Sequence, residues 1–184
     1  MNISSHELQG KKYFLEGNLS FSIAAFNEAL SQEPGLLRAR LVRGAALLKL
    51  GQIEEALDDF TTVIEGGGDC EKAYFLRGIA YLNEGEFVNA LIDFNKTLEY
   101  NEKHGAAILA RGMVLTNLGR LKEARKDIEN PHVKANVIID EFIEEYAISE
   151  SSFNQILALL DDESSLWNLV LTKDEMTRME APPV

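Results

Sequence analysis
The stretch Ala73-Tyr74-Phe75-Leu76-Arg77-Gly78-Ile79-Ala80-Tyr81-Leu82-Asn83-Glu84-Gly85-Glu86-Phe87-Val88-Asn89-Ala90-Leu91-Ile92-Asp93-Phe94 decides the fold, because its landmarks recur on both sides at one step. Gly10, Gly44, Gly78 and Gly112 stand 34 residues apart, and a second glycine follows each after seven places, at Gly17, Gly51, Gly85 and Gly119. Phe26, Phe60, Phe94 and Ile128 keep the same period. Self-similarity at a fixed step of this size marks a repeat protein, whose units bury their apolar faces by stacking on one another.

The spacing within the stretch reads as a helical hairpin. Gly78 and Tyr81 share a helical face at i, i+3, and Ala90 and Phe94 share one at i, i+4. Small residues let two helix axes approach while the aromatics fill the space beside them. Gly85 supplies the backbone freedom needed where the chain reverses.

This pattern resembles the tetratricopeptide repeat, a pair of antiparallel helices joined by a tight turn, over about residues 3 to 130. The small residue of the first helix is Gly10, Gly44, Gly78 or Gly112, and the larger one a turn later is Tyr13, Leu47, Tyr81 or Leu115. In the second helix the small residue is Ser22, Ala56, Ala90 or Ala124, and the bulky one is Phe26, Phe60, Phe94 or Ile128. The resemblance implies an all-α fold, a right-handed α-solenoid of antiparallel helix pairs. Its repeats would span about residues 3–36, 37–70, 71–104 and 105–130, followed by C-terminal capping helices in an acidic extension over 131–180 and a loose tail at 181–184. It also implies protein–protein interaction.

Composition narrows the function classes. The apolar share of 46% is enough for a continuous core in a chain of 184 residues. No long uncharged apolar run is present to span a membrane, and the first seven residues, ending His6-Glu7, do not read as a signal peptide, so a cytoplasmic location is expected. The net charge of −12 argues against nucleic acid and against anionic membrane surfaces. Eleven acids stand against Lys134, Lys173 and Arg178 after Asn130, so two thirds of the negative charge sits in the last third of the chain.

Taken in order, a capping-box spacing at Ser4 and Glu7 starts the first helix near Ser5, and it runs to about Glu16 opposite Leu19 to Gln32. The second hairpin is predicted over about Leu36 to Leu50 and Ile53 to Glu65, and the third over Cys70 to Glu84 and Phe87 to Tyr100. The fourth opens with Gly105 to Leu118, and its second helix from Leu121 is cut short by Asn130-Pro131. Gly66-Gly67-Gly68 invites a phosphate-loop reading, but it follows a helix and lacks the Lys-Ser or Lys-Thr pair such a loop requires, so it reads as an inter-repeat connection. Cys70, the lone cysteine, has no histidine near it and reads as a packed or edge thiol.

Arg43, Arg77 and Arg111 precede their glycines, and Asp59, Asp93 and Asp127, each 16 places on, precede the bulky residue of the partner helix. In the first unit the same slots hold Gln9 and Ala25, so both charges are absent together. An arginine row for acidic ligands is one reading. Internal pairing within each hairpin is the preferred one, worth only about 0–1 kcal/mol per pair if exposed.

In the resembled family the first helices line the concave surface, and contacts come from three places before, one after and four after the recurring glycine. Those slots are here Glu7, Lys11 and Phe14; Leu41, Ala45 and Leu48; Phe75, Ile79 and Leu82; Leu109, Met113 and Thr116. From the second unit on they are almost entirely apolar, a surface a soluble monomer rarely leaves open. The expected groove therefore comprises Leu41, Ala45, Leu48, Phe75, Ile79, Leu82, Leu109 and Met113, with Arg38, Lys49 and Lys72 on its rim and Arg40 beside them. A carboxylate clamp of the kind that grips chaperone tails is rejected, since its slots hold Glu7, Lys11, Val42, Lys72 and Leu76, and only Lys72 fits.

The extension offers its own cover for such a groove. Residues 131–147 read as a helix capped by Asn130, with Pro131 in the first turn and Val133, Val137, Ile138, Phe142, Ile143 and Tyr146 at helical spacings. Further helical segments are expected from Ser152 to Asp161 and from Ser165 to Leu171, and this apolar, acidic tail is expected to fold against the repeats as a cap or a plug.

No catalytic constellation, cofactor or metal site is read from the sequence. His6, His104 and His132 are isolated near helix ends, Glu141, Glu144 and Glu145 form a solvated stripe, and Trp167 reads first as a packing residue. The expectation is a non-enzymatic adaptor or assembly module that holds an apolar peptide or helix of a partner protein. The alternatives are a secretion-type chaperone for a hydrophobic client, and a self-contained scaffold whose groove is filled by its own tail or by a second copy in a homodimer.

Overall fold
The computed structural model describes residues 5–136, 145, 146 and 148. The described residues are helical apart from turns and caps. They run α1 (Ser5–Leu15), α2 (Leu19–Gln32), α3 (Leu37–Lys49), α4 (Ile53–Glu65), α5 (Cys70–Asn83), α6 (Phe87–Tyr100), α7 (Gly105–Asn117), α8 (Leu121–Ile128) and α9 (Pro131–Asn136). Through α8 the boundaries lie within a residue or two of the sequence reading, and the end predicted for the last helix, at residue 147, lies outside the described residues. The extension's segments from Ser152 and from Ser165 lie outside the described residues, and so does Trp167.

The first three hairpins close by one device, a ring seated on a glycine. A Cβ placed at Gly44 or Gly78 would come within 2.7 Å of the ring of Phe60 or Phe94, and one at Gly10 within 2.9 Å of Phe26. Any side chain there would hold the two helices apart, so the glycine and the buried phenylalanine are one packing unit. The turn that follows is set by a second glycine. Gly51 and Gly85 take φ of +73° and +76°, and each ends its helix with paired bonds, such as Gly85 N–H to Leu82 O at 3.1 Å and Glu86 N–H to Tyr81 O at 2.8 Å. That is the left-handed helix stop glycine permits without steric cost.

The chain divides into two compact units, Met1–Glu102 and Lys103–Val184. In unit 1, α1/α2, α3/α4 and α5/α6 are three hairpins, and successive hairpins pack α3 on α2 and α5 on α4. Phe26, Leu30 and Ala39, with Leu36 and Val42 packed beside them, form the seam between the first two hairpins. The first helices also touch one another directly, α1 with α3 and α3 with α5, which makes them the inner layer of this unit and leaves α2, α4 and α6 as the outer one. Unit 2 holds the α7/α8 hairpin, and α9 packs on α7. Asn130 accepts the His132 N–H at 2.9 Å, so the asparagine cap and the proline of the first turn start α9 as the sequence indicates. Tyr146 is half-buried, and burial together with the neighbouring Glu145 pushes its hydroxyl up to about 12; residues 137–144 of the predicted 131–147 helix lie outside the described residues.

Candidate functional site
The inner layer of unit 1 is where the sequence places partner contacts. Leu41, Ala45 and Leu48 recur at i, i+4 and i+7 along α3, and Phe75, Ile79 and Leu82 repeat that spacing on α5, so each trio forms one helical stripe. Leu41 and Ala45 are half-buried, whereas Leu48, Phe75, Ile79 and Leu82 are buried, Ile79 with no exposed surface at all. Phe75 is a core residue on one side, its ring lying 6.1 Å from that of Phe94. In unit 2, Leu109 and Met113 are also buried and Thr116 is half-buried. In unit 1 the apolar stripes of α3 and α5 are largely closed to solvent, with Leu41 and Ala45 half-buried.

The first hairpin breaks the apolar series. Glu7 is buried on α1 and takes an ion pair from Lys11, one turn on, with Phe14 half-buried beyond them. On the rim, Arg38 and Lys49 are exposed and Lys72 is paired with Asp69 at 3.0 Å. Arg40, beside them, donates to Asp59 Oδ1 at 3.2 Å in the second hairpin and to the Pro34 carbonyl at 3.3 Å in the connection before it.

The arginine row proves internal, as the pairing reading requires. Arg43, Arg77 and Arg111 each present Nε and Nη2 to the two oxygens of Asp59, Asp93 and Asp127, at distances of 2.7–2.9 Å. These pairs are not exposed, however. Asp59 and Asp93 retain 1% of their surface and the arginines lie partly covered above them. For Asp93, burial pushes the carboxyl up more than the Arg77 fork pulls it down, while the same bonds hold the Arg77 guanidinium above its ordinary value. A buried pair of this kind fixes geometry more than it adds stability.

The sequence reading missed what the third guanidinium nitrogen does. Arg43 Nη1 donates to Asn27 Oδ1 at 2.6 Å and Arg77 Nη1 to Thr61 Oγ1 at 3.0 Å, each on the outer helix of the preceding hairpin. Asn27 and Thr61 stand one period apart and 16 places before their arginines, so the signal was present in the spacing. Arg77 also lies over the rings of Tyr74 and Tyr81, at 5.6 and 5.9 Å from their centroids.

Nothing among the described residues assembles reactive groups. No three His, Cys, Asp or Glu side chains converge there on a metal position, and no described helix is long and apolar enough to cross a membrane. His104 caps α7 by accepting the Ala107 N–H at 3.1 Å, and Cys70 is half-buried at the start of α5 with Sγ 4.0 Å from the Ile64 carbonyl.

Comparison with known proteins agrees with this architecture. A tetratricopeptide repeat model matches residues 8–67 and 41–99, together half of the chain. Among solved structures, MamA is 18% identical with a TM-score of 0.63, covering 91% of this chain and 94% of its own. YrrB, a TPR protein with an unusual peptide-binding site, is 17% identical at a TM-score of 0.64, over 87% of this chain and 86% of its own. A tetratricopeptide repeat protein from Parabacteroides merdae reaches 0.67 at 20% identity, over 93% of this chain and 66% of its own. No curated protein matches the chain in sequence.

Proposed function
Because the chain belongs to the tetratricopeptide repeat family, whose members serve as protein-interaction scaffolds, we propose that it is a non-catalytic cytoplasmic adaptor that holds an apolar peptide or amphipathic helix of a partner protein. The proposed seat is the inner face of α3 and α5, with Leu109 and Met113 holding the same repeat slots in unit 2. One observation carries the reading: two touching inner helices carry six apolar, uncharged side chains at matching spacings, of which Leu41 and Ala45 keep surface, where the first hairpin has Glu7 and Lys11. Charge is the usual filling of a solvated helix face, so its absence over two successive repeats asks for an apolar cover. The peptide-binding site of YrrB, a protein of the same fold, supports a peptide or helix as that cover.

A second reading is favoured by the burial of Ile79 and Leu82: the wall is filled within the folded chain, and the protein is a self-contained scaffold. The two separate on half-buried residues rather than on core ones. Phe75→Glu would place a charge against Phe94 and unfold the hairpin, whereas Leu41 and Ala45 retain surface. In the adaptor reading, Leu41→Glu and Ala45→Glu leave helicity by circular dichroism unchanged and lower crosslinked capture of partner protein at least about tenfold, the effect of losing a buried anchor. Capture that survives both substitutions defeats the groove assignment.

A further inference from the structure
The outer helices carry a pattern that the inner wall does not explain. Two exposed slots, one turn apart and repeating with the period, hold Ser20 and Ala24 on α2, Glu54 and Asp58 on α4, Val88 and Ile92 on α6, and Lys122 and Lys126 on α8. Hairpins two and three have the same ring-on-glycine seat and the same arginine fork, so the α4 and α6 slots face the same way from either side of α5. Unit 1 thus carries an exposed acid pair on α4 and, at the same slots of α6, an apolar pair whose members are 62% and 53% exposed. Unit 2 presents two lysines on α8 beside Leu121, itself 49% exposed.

The four charges are unspent. Neighbouring charges are taken up, Arg120 by Glu123 and Asp127 by Arg111, but no ion pair among the described residues engages Glu54, Asp58, Lys122 or Lys126. The two surfaces complement one another: carboxylates beside apolar side chains on one, ammonium groups beside an apolar side chain on the other. Both charge pairs have the i, i+4 spacing of a single helical turn, so helices laid antiparallel bring both pairs into register.

We propose that the outer face of α4 and α6 in one copy docks α8 of a second copy, with Lys122 and Lys126 on Glu54 and Asp58 and Leu121 against Val88 and Ile92. A second copy is the favoured occupant because the complement to this surface is in the same chain, at the same repeat slots. The net charge of −12 repels copies at a distance, so the attraction is local and the association weak and rapidly exchanging. It is independent of what occupies the inner wall.

The test is sedimentation velocity of the full chain over a concentration series at low and high salt. Self-association that grows with concentration and disappears in high salt is expected, because screening acts on exposed pairs first. Reversal in either surface, E54K/D58K or K122E/K126E, is expected to weaken association at least about tenfold, the lower end for close interfacial charge pairs. An equimolar mixture of the two variants restores it, since each then supplies the charge the other has lost. V88S/I92S weakens association without altering its salt dependence, and K122Q/K126Q serves as a milder control on folding. A chain monomeric at every concentration, or a mixture no more associated than its separate variants, overturns the proposal.

Discussion
The first hairpin and the third share an apolar scheme and differ in their polar one. Both seat a phenylalanine on a glycine, Phe26 on Gly10 and Phe94 on Gly78. The third adds the bidentate fork from Arg77 to a buried Asp93, where the first has Gln9 and Ala25 and a single bond from the Ser22 hydroxyl to the Gly10 carbonyl at 2.9 Å. Ring-on-glycine packing is therefore enough to close a hairpin. The fork serves another end, which its third nitrogen identifies by reaching Thr61 on the hairpin before. Among the described residues no helix precedes α1, so a fork at Gln9 would find no earlier outer helix there to hold.

The largest effect should come from the element the two hairpins share. Phe94→Ala leaves a ring-sized cavity at a fully buried position and is expected to cost about 3–5 kcal/mol in chemical denaturation. Phe26→Ala empties an equivalent seat, but among the described helices the α1/α2 hairpin packs on one neighbouring hairpin only, so the loss should be confined to Ser5–Gln32. Hydrogen exchange reads the difference: protection lost in α1 and α2 alone for Phe26→Ala, and from α3 through α6 for Phe94→Ala. Should Phe26→Ala release all of unit 1 together, the first hairpin is not the independent end that the comparison makes it.

Next comes the fork. Asp93→Ala strands the Arg77 guanidinium beside a polar void and is expected to cost about 2–3 kcal/mol, below the value for a fully buried pair because Arg77 keeps some solvent access. Replacing both partners, Arg77→Met with Asp93→Leu, should cost less than about 1 kcal/mol, since apolar groups of similar volume need no partner. A double variant as unstable as the single one would make the fork a source of stability rather than of register.

Much of this was legible in the sequence because a repeat supplies its own internal comparison. Period, helix ends and all three forks follow from positions that change together, as Gln9 and Ala25 do when both charges vanish at once. Burial was less legible. A carboxylate 16 places from its arginine could stand in water or beneath it, and only the packing of α3 on α4 and α5 on α6 puts Asp59 and Asp93 inside. For the candidate wall, how far Ile79 and Leu82 are shielded depends on tertiary packing that periodicity does not encode.

A smaller effect sharpens the shared element. Gly78→Ala sets a methyl 2.7 Å from the Phe94 ring, and a rigid ring can only push the helices apart, so about 1–3 kcal/mol is expected from thermal or denaturant unfolding. In the fourth repeat the seated residue is Ile128, and a methyl at Gly112 would stand 3.0 Å from its Cγ1. An aliphatic chain can turn aside within its rotamers, so Gly112→Ala should fall near the bottom of that range. Equal costs would mean that the helix spacing, and not the ring, is what the glycine protects.

The smallest effect is the most direct trial of the comparison. Gln9→Arg with Ala25→Asp transplants the fork into the hairpin that lacks it, at slots 16 residues apart as in the others. A guanidinium at position 9 would replace the 3.2 Å bond from Gln9 to the Tyr13 hydroxyl and find a carboxylate across the hairpin, but among the described residues no earlier outer helix. Position 9 is exposed but Ala25 is buried, so the new carboxylate gives up hydration for a pair that is only half covered, and the net gain should not exceed about 0–1 kcal/mol. A gain as large as the loss from Asp93→Ala would show that the fork works within its own hairpin. Register between hairpins would then rest on apolar seams such as Phe26, Leu30 and Ala39 alone.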